Sequence, residues 1–117
     1  MAYDEVLAAR LRTLLQHEPG MTEKKMFGGL AFMVGGNMCC GIVANDLMLR
    51  IGADGHDDAL SRPHVRPMDF SGRPMVGMVY VEPEGYASDQ DLGGWVELAL
   101  AFGRSLPKKV PQTRKSR

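Results

Sequence analysis

The sequence predicts an α+β domain: one antiparallel sheet of about five strands, covered by helices, in the order α-β-β-β-α-β-β-α. Three observations carry this. Lys24 to Gly52 holds three apolar runs separated by two turn signals. An amphipathic run precedes it, from about Asp4 to Gln16, and a longer one follows, from about Asp89 to Leu106. Strands grouped together, with the long helices set at either side of them, fit an antiparallel α+β arrangement.

The first helix, Asp4 to about Gln16, repeats Val6, Leu7, Leu11, Leu14 and Leu15 at three-to-four spacing, an apolar stripe for the core. Asp4 and Glu5 suit its positive end, and Pro19-Gly20 stops it. Met21 to Lys25 reads as a short polar link. In the meander, Leu30, Phe32 and Val34 share a face, and Gly35-Gly36 can take the positive φ of a tight hairpin. Met38, Cys40 and Ile42 alternate in the second run. Asn45-Asp46 is assigned the second turn, since these types best tolerate left-handed φ after Gly. Leu47, Leu49 and Ile51 then alternate with Met48 and Arg50, one face apolar and the other mixed.

Ala53 to Ser61 reads as a short helix with acids in its first turns, ended by Pro63. Arg62 to Met75 reads as a rigid loop with three Arg-Pro steps, at Arg62, Arg66 and Arg73. Paired guanidiniums on a stiff loop could grip a phosphate or carboxylate; alternatively Asp69 pairs with Arg66 or Arg73 and the loop packs its own base. Val76 to Val81 is apolar on both sides, so it is placed centrally, and Pro83-Glu84-Gly85 ends it. Ser88 is the N-cap expected for the last helix, whose stripe is Leu92, Trp95, Val96, Ala99, Phe102 and Leu106. Leu98 and Leu100 flank that stripe and widen the apolar arc to roughly 200°, more than one sheet face requires. The excess width predicts a second partner surface, and hence a homodimer; the alternative cover is the Arg62–Met75 loop.

A chain of 117 residues fits one domain. The formal net charge is zero, but Lys108, Lys109, Arg114, Lys115 and Arg117 follow one another without an acid. The rest carries nine basic and fourteen acidic residues, a net of minus five, which argues against a surface built to grip nucleic acid. The division predicted is a domain over residues 1–107 and a disordered basic tail over 108–117. The acidic start and the lack of a long apolar run predict a cytoplasmic protein with no membrane partner.

Chemistry-bearing motifs are sparse. Cys39 and Cys40 are the only cysteines. Strand neighbours point to opposite faces, so they are expected as reduced thiols, at least one packed as a small hydrophobe. Met26-Phe27-Gly28-Gly29 lacks the phosphate-loop spacing, and its glycines are better explained by a bulge or a close backbone approach. Asp54, His56, Asp57 and Asp58 lack Ca-loop spacing, and His17, His56 and His64 offer no zinc pattern. The expectation is therefore no catalytic residue, no metal and no cofactor. The candidate interaction surface is Arg62, Arg66, Asp69, Arg73, Leu98 and Leu100.

Lys25-Met26-Phe27-Gly28-Gly29-Leu30-Ala31-Phe32, the hairpin into Asn37-Met38-Cys39-Cys40-Gly41, the segment Arg66 to Met75, and the helix from Trp95-Val96-Glu97 to Ser105-Leu106-Pro107 resemble the TfoX N-terminal domain family. The resemblance runs from the first helix to Pro107. It implies a fold like that of type III secretion chaperones and offers no catalytic residues. TfoX/Sxy proteins regulate bacterial natural competence genes, so it implies a non-enzymatic domain with a protein partner in transcription regulation. The alternatives are an accessory protein binding nucleic acid weakly through the basic tail, and a small-anion binder using the Arg62–Arg73 segment.

Overall fold

A computed structural model describes residues 3–26, 28–70 and 73–106 of the chain; the side chains of Met26, Asp69, Phe70, Arg73 and Pro74 are not described. The predicted tail over 108–117 lies outside the described residues. The elements in chain order are α1 (Glu5–Leu15), β1 (Met21–Met26), β2 (Gly29–Val34), β3 (Asn37–Val43), β4 (Asp46–Arg50), α2 (His56–Leu60), β5 (Val65–Phe70), β6 (Arg73–Val81) and α3 (Asp89–Ser105). The six strands form one antiparallel sheet in the order β1-β2-β3-β4-β6-β5. The α+β class is as predicted, with one strand more.

That extra strand is β1, where the sequence reads as a polar link. Thr22, Glu23, Lys24 and Lys25 are exposed along it. Charged residues have poor strand propensity, yet on an edge they keep other chains from pairing. The β1–β2 turn brings Gly29 against β3, where a Cβ would lie 1.9 Å from the Ile42 carbonyl oxygen. That is the close backbone approach expected here, and it is made by Gly29 alone; Gly28 instead takes a positive φ of +73 with open space around it.

The β2–β3 hairpin closes as predicted, with Gly35 at φ +59 and Gly36 at φ +83. The next turn corrects the expectation. Val43 pairs with Asp46, so the loop residues are Ala44 and Asn45, and Ala44 takes the left-handed backbone at φ +54. Tertiary contacts hold it there. The Asp4 N–H donates to the Ala44 carbonyl (2.9 Å), and the Tyr86 hydroxyl donates to the Asn45 carbonyl (2.5 Å). Asp4 also caps α1, accepting from the N–H groups of Val6 and Leu7.

The helices cover one face of the sheet. Leu7, Ala8, Leu11 and Leu15 of α1, Ala59 of α2, and Leu92, Trp95, Val96, Ala99 and Leu100 of α3 share a core with Phe32, Ile42, Leu47, Leu49, Val79 and Val81. The α1 stripe is rotated from the predicted one. Ala8 is buried, whereas Val6 and Leu14 are 71% and 43% exposed. Ser88 caps α3 as expected, accepting from the Asp91 N–H at 3.0 Å. The predicted rigid loop over Arg62–Met75 is largely a hairpin: Pro67 sits in edge strand β5, where a missing N–H costs no ladder bond, and β6 lies between β4 and β5.

Candidate functional site

The face of the sheet turned away from the helices has its own apolar cluster. Met48, Met68 and Met78 are buried in it, with Met38, Val43, Met75 and Tyr80 packed against them. Among the described residues no helix residue belongs to the cluster itself, and Phe102 of α3 reaches its margin, lining a cleft with Met38, Met75 and Met78. The register builds it. Met48 stands opposite Gly41 on one side and Tyr80 on the other, while its neighbours Leu47 and Leu49 point to the helices. A Cβ on Gly41 would come within 2.8 Å of the Met48 Cε, so the thioether lies across the bare glycine. Methionine side chains are flexible and polarizable, and a surface made of them can repack against a partner.

Charges of both signs border this face. Arg66 stacks 4.6 Å from the Tyr80 ring centroid. Its guanidinium pairs with Asp46 and, through Nε at 3.4 Å, with Glu82. Arg62 lies elsewhere: it sits 4.8 Å from the Trp95 ring centroid and 3.3 Å from the Asp58 carboxylate. The two arginines thus have separate partners, one against α3 and one against the far side of the sheet. Asp69 and Arg73 are placed by their backbones on β5 and β6, paired with Pro74 and Phe70. Their expected ion pair falls outside the described side chains.

The α3 flanks also differ from each other. Leu100 is 4% exposed and belongs to the core, whereas Leu98 is 40% exposed. Leu98 lines an open cleft of about 560 Å³ together with Arg62, Trp95 and Asp91. The apolar excess expected on two flanks therefore reduces to Leu98.

Cys39 and Cys40 are free and fully buried. Both join the helix-side core, against simple strand parity. A β-bulge explains it: Phe32 pairs with Cys40 and Met33 with Met38, which leaves Cys39 as the extra residue. A hydrogen bond to Cys39, aided by burial, pushes the Cys40 thiol up. The same contact holds the Cys39 thiol down, and full burial of both makes the pair part of the core packing.

None of the methionines stands out in the sequence by its own position. The available signal is compositional, nine Met in 117 residues, together with the Met48 alternation between two leucines. Which sheet face the helices leave open is a tertiary fact that periodicity does not carry.

Among the described residues, no helix is long and apolar enough to cross a membrane. No curated protein and no solved structure matches the chain. The family model of the TfoX N-terminal domain matches residues 13–103, from the last turn of α1 into the last turn of α3. With the match spanning the whole sheet, α2 and nearly all of α3, the chain belongs to the TfoX N-terminal domain family.

Proposed function

We propose that the chain is a non-enzymatic regulatory or protein-interaction domain of the cytoplasm, and that the methionine face of its sheet docks on a second copy of itself. One observation carries the reading: on the sheet face opposite the helices, half-buried Met38, Val43, Met75 and Tyr80 lie over the buried Met48, Met68 and Met78 and present an apolar surface. A self-association is favoured over an unrelated partner by the charges around it. Arg66 lies beside Asp46 and Glu82, so a two-fold copy can set base against acid without any other chain. Family membership supports a regulatory setting, in line with the competence regulators that share the domain.

Light scattering across a dilution series tests this. The expected result is a dimer mass at tens of micromolar and a monomer on dilution. Met38 is half-buried at the side of the cluster. Met38→Lys should raise the dimer dissociation constant by about ten-fold or more, with an unchanged melt. A wild-type monomer at tens of micromolar would overturn the second copy as the occupant of this face. So would a dimer indifferent to Met38→Lys and to a companion Val43→Lys change.

A further inference from the structure

His64 is far in sequence from Glu82 and Glu84, which are near neighbours, but the three meet where β5 begins and β6 ends. One potential ligand atom from each, an imidazole nitrogen and two carboxylate oxygens, lies within 4.8 Å of the others. The backbone beneath them is tightly held. The Glu82 N–H donates to the His64 carbonyl at 2.8 Å, extending the ladder one step beyond the Val65–Val81 pair. His64 itself takes a left-handed backbone, φ +66, which breaks strand alternation at this point. Glu84 sits in a 3-10 turn, Pro83–Gly85, that opens on a proline. Gly85 packs directly on His64, since a Cβ there would stand 3.1 Å from the His64 Cβ. The Trp95 indole N–H then ties the turn to α3, donating to the Gly85 carbonyl at 3.0 Å.

We propose that His64, Glu82 and Glu84 form a three-ligand site for a divalent transition-metal cation of the zinc type. First-row cations hold imidazole nitrogen and carboxylate oxygen at about 2.0–2.2 Å, which sets ligand atoms roughly 3–4 Å from one another. Small rotations of the two exposed or half-exposed glutamates close the present triangle to that size, with no backbone movement. Two carboxylates neutralise the cation. The imidazole sets the preference for zinc-like ions over magnesium and calcium, which favour oxygen alone. The Arg66 Nε, 3.4 Å from the Glu82 carboxylate, orients that ligand from behind. His64 and Glu84 also line the 560 Å³ cleft, beside Arg62, Asp91 and Trp95, so the remaining coordination positions open on a space that a further ligand can enter. Glu82 is shared with the charged border of the methionine face, but His64 and Glu84 are not, so variants at those two read the metal site without touching that face.

The experiment is titration of the untagged full chain with Zn²⁺ by calorimetry, and with Co²⁺ followed by visible absorption. One equivalent of each metal is expected, with cobalt bands that report nitrogen and oxygen ligands. His64→Ala and Glu84→Gln should each weaken binding by about ten-fold or more. His17→Ala, which changes an exposed histidine outside the cluster, should leave it unchanged. Melting curves of the variants establish that they remain folded. Absence of binding up to millimolar metal would overturn the site. So would affinity indifferent to both ligand changes, or a cobalt spectrum showing thiolate charge transfer. Mg²⁺ binding as tight as Zn²⁺ would overturn the assigned metal class.

Discussion

Ala44 holds the β3–β4 turn on a left-handed backbone, φ +54, with a Cβ that disfavours it. The penalty is about 1–2 kcal/mol for a residue of this kind. Ala44→Gly removes it but adds roughly 0.5–1 kcal/mol of unfolded-chain entropy. The net expectation is a neutral to slightly stabilised protein, by up to about 1 kcal/mol in urea denaturation. Trp95 goes the other way. It is 6% exposed, bonded to Gly85 and stacked by Arg62. Trp95→Ala should cost about 3–5 kcal/mol; a melt matching wild type would mean that this face of α3 contributes little. A third residue sets a pH dependence. Arg104 binds the Glu18 carboxylate through two nitrogens, at 2.7 and 3.2 Å, and this holds the Glu18 carboxyl below its usual range. The folded form thus prefers the carboxylate. The contribution is complete above the unfolded-state range, about pH 4.3, and fades as pH falls through the lower folded-state value. The gap in melting temperature between wild type and Glu18→Gln should therefore be widest near neutral pH and close in strong acid. A gap that widens in acid would contradict the pairing.

At the scale of elements, β6 depends on one glycine. Gly77 has φ +90 in mid-strand, and a Cβ would stand 3.0 Å from the Gly52 carbonyl carbon. Its N–H donates to the His56 Nδ1, and its carbonyl accepts from the N–H groups of Ile51 and Gly52. The bend thus locks β6 to the segment leading into α2. Gly77→Ala should destabilise by about 1–3 kcal/mol, read by urea denaturation. This also shows where sequence reasoning reaches. Val76 to Val81 reads as a continuous central strand, and Val79 and Val81 do face the helices. Val76, expected on the Met78 side, is 68% exposed because the bend interrupts the alternation. The Gly-Gly hairpin and the capped helices were legible because their signals are local. Edge strand β1 was not, because its only apolar residues, Met21 and Met26, stand at its two ends and show no alternation. The methionine face and the His64 cluster depend on which strands become neighbours, and Arg66, legible as a candidate, takes partners from β4 and from the end of β6 that no spacing announces.

At the scale of the whole molecule, helices cover one side of the sheet and charge is divided along the chain. The body carries a net charge of minus five, and the residues from Lys108 onward carry plus five. A sheet face lined with methionine and an acidic body offer little to a phosphate backbone. Retention on DNA or heparin should therefore depend on Lys108, Lys109, Arg114, Lys115 and Arg117 alone. Neutralising at most five phosphates limits the slope of log K against log salt to about −4.5. Contacts of that kind position a chain without reading base edges, so binding should be equal on unrelated sequences. Deleting residues 108–117 should abolish retention at low salt while leaving the melt unchanged. A steeper slope in the full chain would mean that body arginines take part. Sequence-selective binding by the shortened chain would go further, moving nucleic-acid recognition onto the folded domain and making Arg62, Arg66 and Arg73 the first residues to substitute.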